Sequence, residues 1–283
     1  MKRTMRLLAL AAVLAYGFSA QAAEGLPPLP DSLKTKGVVR VGVKCDYPPD
    51  GYLDKNGKPV GIEVEMAKQL AVYAFGDAAK SELTCVTTAN RVPTLQGGKV
   101  DLLIATIGVT DERRKVVDFS DYYAWASSSI LVRKDSPAKT IQDMKGKKLI
   151  FIKGAWQIPW FEKNMPDITD MRLDTVSDAL QALTQGRADG YAHDLAVQVG
   201  IAKRNPNVRM LEGRYQIGFR GAAVRMGEKE WLAYVNAGFA KMRTDGLLTQ
   251  WIKQYEDPDL LGEKIELWDP SKAPAEAKSV VTQ

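Results

Sequence analysis

Residues 100–123, VDLLIATIGVTDERRKVVDFSDYY, contain the transition on which the reading of the whole chain turns. Val100 to Ala105 is an apolar run of strand length, and a short loop follows it. Thr110 then stands where a helix needs a cap, with Asp111 and Glu112 in the first turn, where acidic groups complement the helix dipole. Arg113 is thereby placed beside the end of a buried strand. Its guanidinium has the fork geometry that pairs with a planar carboxylate, which lysine lacks. The residues alone leave a second reading open, a solvated helix arginine paired with Asp118 or Glu112.

Working outward, the spacing predicts more strands and helices in alternation. Val38 to Val43 is β-branched and nearly continuous, as in a strand buried on both faces. Tyr47-Pro48-Pro49-Asp50-Gly51 reads as a loop and Asp54-Lys55-Asn56-Gly57 as a hairpin turn. After Gly61, the residues Ile62, Met66, Leu70 and Ala74 share one face of a helix. A strand around Leu83 to Thr87 and a short helix opened by Pro93 precede Val100. This β-α-β-α-β order predicts an α/β fold with a mainly parallel sheet flanked by helices, and a ligand beyond the carboxyl ends of its strands. A second such unit follows, with Ser127 to Val132 running between lobes. Lys148 to Ile152 is its first buried strand, with helices from Trp156 and over Asp178 to Thr184 and a strand Ala188 to Ala192 leading to His193-Asp194. Tyr215 to Val224 returns the chain, and helices Glu228 to Met242 and Leu247 to Tyr255 close it. The predicted division is a first lobe of residues 33–129 and 219–260, a second lobe of 130–218, and a mobile tail over 268–283, where Pro270, Pro274 and several alanines lie.

The N-terminus decides the compartment. Lys2, Arg3 and Arg6 precede an apolar run from Leu7 to about Ala15, and Ala20-Gln21-Ala22 suits a signal peptidase, so residues 1–22 read as a cleaved secretory signal. The run is shorter than the roughly 20 residues of a membrane span. With no cysteine at the cleavage point, lipid attachment there is not expected, and the mature chain is expected to be periplasmic, monomeric and not inserted in the membrane. Loss of three basic residues with the signal lowers the formal net charge from +5 to +2. That balance argues against nucleic acid as a partner. Cys45 and Cys85 follow or lie in neighbouring strands, and an oxidising compartment permits a disulfide between them. Two separate buried thiols are the alternative. His193, the one histidine, reads as structural. One histidine and two cysteines give no zinc spacing, and no nucleotide or nucleophile-elbow motif appears, so no metal, cofactor or catalytic residue is expected.

The stretch from Thr110 to Tyr123 resembles the signature of periplasmic polar amino-acid-binding proteins of ABC transporters, in which Thr-x-Glu-Arg precedes Asp-Phe-Ser and a tyrosine pair. Val39-Arg40-Val41-Gly42, Tyr47-Pro48-Pro49, Gly61, Gly186-Arg187-Ala188-Asp189 and Asp194 match that family in order, from about Leu33 to Tyr255. The resemblance implies a two-lobe type II periplasmic binding fold that closes on an amino acid and presents it to the permease subunits. It places the ligand α-carboxylate on Arg113 and the α-ammonium on Asp194, with further contacts from Thr106, the backbone of Gly108, and Tyr47. A zwitterion entering a closed cleft loses its water, so each charge needs an opposite partner.

Two departures bear on specificity. Many relatives carry an acidic residue just after the first strand, which holds a cationic ligand; here the position is Lys44. This resembles the glutamate/aspartate-binding subgroup, to whose second ligand loop Thr88-x-Asn90-Arg91-x-Pro93 is similar. The resemblance implies that Thr88 is a ligand contact and that Lys44 and Arg91 together neutralise a ligand side-chain carboxylate. Lys44 paired with Asp46 or Asp50 is the plain alternative. The second departure is Lys153-Gly154-Ala155-Trp156-Gln157, where relatives start a helix with hydroxyl residues. Trp156 either stacks on the ligand or packs in the lobe, and Gln157 joins it as a candidate contact. The preferred ligand is an acidic or polar amino acid. A few proteins resembling this family are dehydratases of cyclohexadienyl acids and need a general acid; Glu63 and Glu65 read as structural.

Overall fold

The computed structural model describes residues 25–279; the expected signal at 1–22 lies outside them. The main sheet is built from β1 (Val39–Lys44), β2 (Ser81–Val86), β3 (Leu102–Ile104), β4 (Val117–Arg133), β5 (Lys148–Ile152), β6 (Thr169–Leu173), β7 (Gly190–Asp194), β8 (Val208–Met210) and β9 (Tyr215–Arg225). Its order is β2-β1-β3-β9-β4-β7-β5-β6, with β8 beside β4. The trio β2-β1-β3 is parallel, and so is β7-β5-β6. Between them run β4 and β9, antiparallel to each other. Two α/β units are thus joined through a pair of long strands; the sequence reading found β9 nearly whole as Tyr215 to Val224 but only the second half of β4.

Each unit has its own core. The first gathers Val39, Val41 and Val43 of β1 and Val64, Met66 and Leu70 of the helix Ile62–Phe75. It also gathers Trp231, Val235 and Phe239 of the helix Lys229–Thr244. The second gathers Ile130 to Val132, Leu149 to Ile152, Phe161, Leu183 and Tyr191. Along β4 the membership changes between Trp125 and Ile130, and along β9 between Tyr215 and Phe219. Burial on both faces is why β1 reads as a nearly continuous apolar run, broken only by the half-buried Arg40 before it reaches Lys44.

Of the segment 268–283 expected as a mobile tail, the described part packs on the first core instead, and residues 280–283 lie outside the described residues. Trp268, Ala273 and Ala277 are buried there, and the Trp268 carbonyl accepts from Arg243 Nη1 at 3.0 Å. Pro270 opens a short 3-10 turn with Asp269 as its cap, a position that suits proline's fixed φ. Composition suggested a tail; the apolar side chains, spaced to one face, decided otherwise.

Candidate ligand-binding site

β1 carries the chain to Lys44, and the next residue, Cys45, is disulfide-bonded to Cys85 of β2. This link ties the start of the loop after β1 to the end of β2. Across it, Lys44 Nζ donates to Thr88 Oγ1 at 3.3 Å and pairs with Asp46 at 2.7 Å. Lys44 is 1% exposed. Burial lowers its pKa, and Asp46 opposes that shift. Of its two expected alternative partners, Asp46 is the one that it meets.

Arg91 opens the helix Arg91–Gln96 and is buried. One of its terminal nitrogens, Nη1, donates to the Ala105 carbonyl at 2.6 Å, while Nε is buried with no hydrogen-bond partner. Burial and the nearby Arg113 charge pull its pKa down to about 9. Thr110 caps the helix Asp111–Arg114 as expected, its hydroxyl accepting from Arg113 N. The Arg113 side chain meets neither Asp118 nor Glu112. It donates through Nη1 to Gly108 O at 2.6 Å and through Nη2 to Gly154 O at 2.9 Å. The second bond crosses from the first unit to the second. Burial pulls Arg113 down to about 10. Among the described residues neither arginine forms an ion pair.

The opposing loop fits closely. Gly154 has φ +74°, and a Cβ there would stand 3.0 Å from Ala89 Cα and 3.0 Å from Thr88 O, so both the backbone and the contact require glycine. Trp156 lies against Gly108 and Gly218; a Cβ on Gly218 would come within 2.7 Å of its ring. Thr106 sits at φ +48°, a strained value for a β-branched residue. Its N–H donates to both oxygens of Glu63 at 2.9 Å, and Tyr123 Oη donates to the same carboxyl at 2.5 Å. Burial and the charge of Asp50 raise Glu63 to about 7.

Asp194, at the end of β7, is held by four donors. Oδ1 accepts from Trp156 Nε1 at 2.8 Å and Gln157 Nε2 at 2.7 Å. Oδ2 accepts from Tyr47 Oη at 2.6 Å and Arg220 Nη2 at 2.6 Å. Burial works against the charged form more than any other single influence, but Arg220, His193 and the hydrogen bonds from Tyr47 and Trp156 together outweigh it, and the Asp194 carboxyl stays well below the usual range. Its neighbour His193 accepts the Asp194 backbone N–H on Nδ1 at 2.7 Å, which fixes the neutral ring, and burial lowers its pKa to about 4.

The ten predicted site residues therefore lie at strand ends, helix starts and loops around one seam. Trp156 and Gln157 both pack in the fold and bond to Asp194, and Gln157 also donates to Ser128 Oγ at 3.0 Å. The reading missed Arg220, Asp50 and Lys264. Arg220 Nη1 pairs with Asp50 at 2.7 Å, and Lys264 pairs with the other oxygen of Asp50. The available signal was a charge inside the apolar run Ile217 to Val224, because a buried arginine needs a partner.

Two α/β units meeting across a charged seam, joined by two long strands, define a two-lobe binding protein. The chain belongs to the bacterial extracellular solute-binding proteins, family 3, whose sequence pattern it matches over residues 39–257. It is 32% identical over 233 residues to the ABC transporter glutamine-binding protein GlnH of Bacillus subtilis, covering 80% of this chain and 85% of that protein. It is 29% identical over 247 residues to the L-cystine-binding protein TcyJ of Escherichia coli, covering 86% and 91%. Among solved structures, the L-cysteine solute receptor of Neisseria gonorrhoeae superposes with a TM-score of 0.79 at 35% identity, covering 86% of this chain and 97% of that one. The ancestral amino-acid-binding protein AncCDT-1, described as a precursor of cyclohexadienyl dehydratase, gives 0.73 at 31% identity, covering 80% and 99%. The architecture is that of type II periplasmic binding proteins. No helix among the described residues is long and apolar enough to cross a membrane.

Proposed function

We propose that this protein is the periplasmic receptor of an ABC importer and that it binds an acidic amino acid, or failing that a polar one, between its lobes. The secretory reading of residues 1–22, a monomeric state and presentation to permease subunits belong to the proposal. So do the lobe ranges 33–129 with 219–260, and 130–218, closing about β4 and β9. Arg113 takes the ligand α-carboxylate, and Lys44 and Arg91 its side-chain carboxylate, with Thr88, Thr106, Gly108, Tyr47, Trp156, Gln157 and Asp194 forming the remaining wall. One observation supports the acidic preference: Arg91 lies close to both Lys44 and Arg113, and neither arginine forms an ion pair among the described residues, so three cations gather on the first lobe. A ligand bound by both lobes favours the closed state in proportion to its differential affinity.

A thermal-shift screen of dialysed protein against the twenty amino acids tests this. At a hundredfold excess over Kd a ligand adds about 2.7 kcal/mol, or roughly 5–10 °C in a domain of this size. Glutamate and aspartate are expected to give the largest shifts. Shifts confined to cationic or neutral amino acids overturn the acidic preference.

The dehydratase reading has one observation in its favour, the buried Glu63 carboxyl raised to about 7. Its three hydrogen bonds nevertheless go to Thr106 and Tyr123, which suits a group that fixes a strained turn. Incubation with prephenate and arogenate separates the two readings, since only an enzyme speeds the loss of carbon dioxide and water to an aromatic product above the protein-free rate.

A further inference from the structure

The carboxylate that the family resemblance assigns to the ligand ammonium is already committed within the protein. An ionised carboxylate offers about four acceptor positions, and Asp194 fills them with Trp156, Gln157, Tyr47 and Arg220. Its charge is balanced as well. Asp194, Arg220, Asp50 and Lys264 form an alternating chain of two anions and two cations, and all four residues are buried. An ammonium arriving at Asp194 has to displace one of these donors, leaving it buried and unsatisfied at a cost of about 1–3 kcal/mol.

The cationic side of the seam is in the opposite condition. Arg91 Nε is buried without a partner. Arg113 spends two N–H groups on backbone carbonyls and has three left. Lys44 has Asp46 as its ion-pair partner, and that carboxylate's side chain is 30% exposed. Demand for anions is open while demand for a cation is closed.

We infer that the site selects its ligand by carboxylates and does not require an α-ammonium, so that its ligand class is the small dicarboxylates, with or without an amino group. This rests on the proposed reading that Arg113, Arg91 and Lys44 face ligand carboxylates. It differs in assigning Asp194 to a latch between Tyr47 of the first lobe, Arg220 of β9 and Trp156 and Gln157 of the second.

Isothermal titration of the dialysed protein with L-glutamate, 2-oxoglutarate and glutarate tests it, because the three share a five-carbon dicarboxylate chain and differ at C2. Dissociation constants within about tenfold of each other are expected. If glutamate binds and the other two are weaker by a hundredfold or more, the inference is overturned while the acidic amino-acid reading stands. If none of the three binds and glutamine or cysteine does, both fall. Arg220→Met supplies a second test by freeing Asp194: the preference for glutamate over glutarate is expected to rise at least tenfold, and an unchanged ratio in a folded variant overturns the latch. Should that variant fail to fold, the wild-type series decides alone.

Discussion

Replacing Arg113 by lysine tests the centre of the proposed site while keeping its charge. The native guanidinium reaches Gly108 O at 2.6 Å and Gly154 O at 2.9 Å, one carbonyl on each side of the seam. A lysine ammonium is a compact point charge and cannot reproduce that fork while also gripping a carboxylate at two points. The variant therefore loses the bond to Gly154, made only when the lobes are together, and one of two bonds to the ligand. Hydrogen bonds with a charged partner contribute about 1.5–3 kcal/mol each, so the expected loss for two is about 3–6 kcal/mol. At about 1.4 kcal/mol per tenfold, affinity falls on the order of 100- to 20,000-fold. Titration calorimetry with the best ligand from the thermal screen measures it. The melting temperature of ligand-free protein should change little, since the residue is part-buried and not in either apolar core. A folded variant binding within fivefold of wild type refutes the assignment.

Lys44→Met removes a buried cation and is expected to weaken glutamate binding by about 10- to 100-fold, the range for one charge-assisted bond, with far less effect on glutamine. Equal losses for both ligands, or none, mean that Lys44 serves Asp46 alone. Cys45→Ser with Cys85→Ser opens a link across 40 residues, which chain entropy places at about 4 kcal/mol. Urea unfolding should show a loss of about 2–4 kcal/mol and calorimetry a weaker Lys44–Thr88 side of the site; an unchanged midpoint contradicts the entropic account. His193 and Glu63 should tilt stability in opposite directions with pH. His193 falls from 6.5 to about 4 on folding, with Asp194, Asp46, Lys44 and Arg220 around it, so its contribution is complete above pH 6.5 and is lost as pH falls toward 4. Glu63 rises from 4.5 to about 7, so its contribution is complete below pH 4.5 and is lost as pH rises through 7. Each amounts to about 3 kcal/mol at 1.36 kcal/mol per pH unit, and the two nearly cancel in the native chain. His193→Asn, which keeps an acceptor for the Asp194 N–H, should leave stability falling from pH 4.5 to 7, whereas Glu63→Gln should leave it rising; parallel slopes in both variants reject the assignment.

The fold was legible wherever a single local rule governs. Val39 to Val43, Lys148 to Ile152 and Leu247 to Tyr255 announce themselves by apolar runs or helical spacing, and Thr110 by its cap chemistry. What escaped depends on distant partners. Thr169 to Leu173 forms an edge strand that is largely exposed, so its side chains carry no burial pattern. Residues 117–126 of β4 read as a polar signature rather than a strand because Asp118, Ser120 and Asp121 interrupt the apolar positions. The same limit applies to the site. Arg113 and Asp194 could be named from motif and order, but Asp50 lies 170 residues from its partner Arg220 and Lys264 lies 214 residues from Asp50, separations at which neither spacing nor periodicity carries information.

These long-range pairs also bear on how closure works. Tyr47 and Arg220 reach Asp194 at 2.6 Å, and Arg113 reaches the Gly154 carbonyl, so the protein supplies bonds across its seam from its own groups. A closed state that retains such bonds does not rely on ligand contacts alone. Ligand then has to add only the difference between open and closed populations, and under the proposed function it does so at Arg91, Arg113 and Lys44. On that reading the seam divides between a saturated half that aligns the lobes and a cationic half that discriminates among side chains. A change in Lys44 should then act on the ranking of acidic against neutral side chains, and a change in Arg220 on the opening equilibrium together with the preference for an α-ammonium.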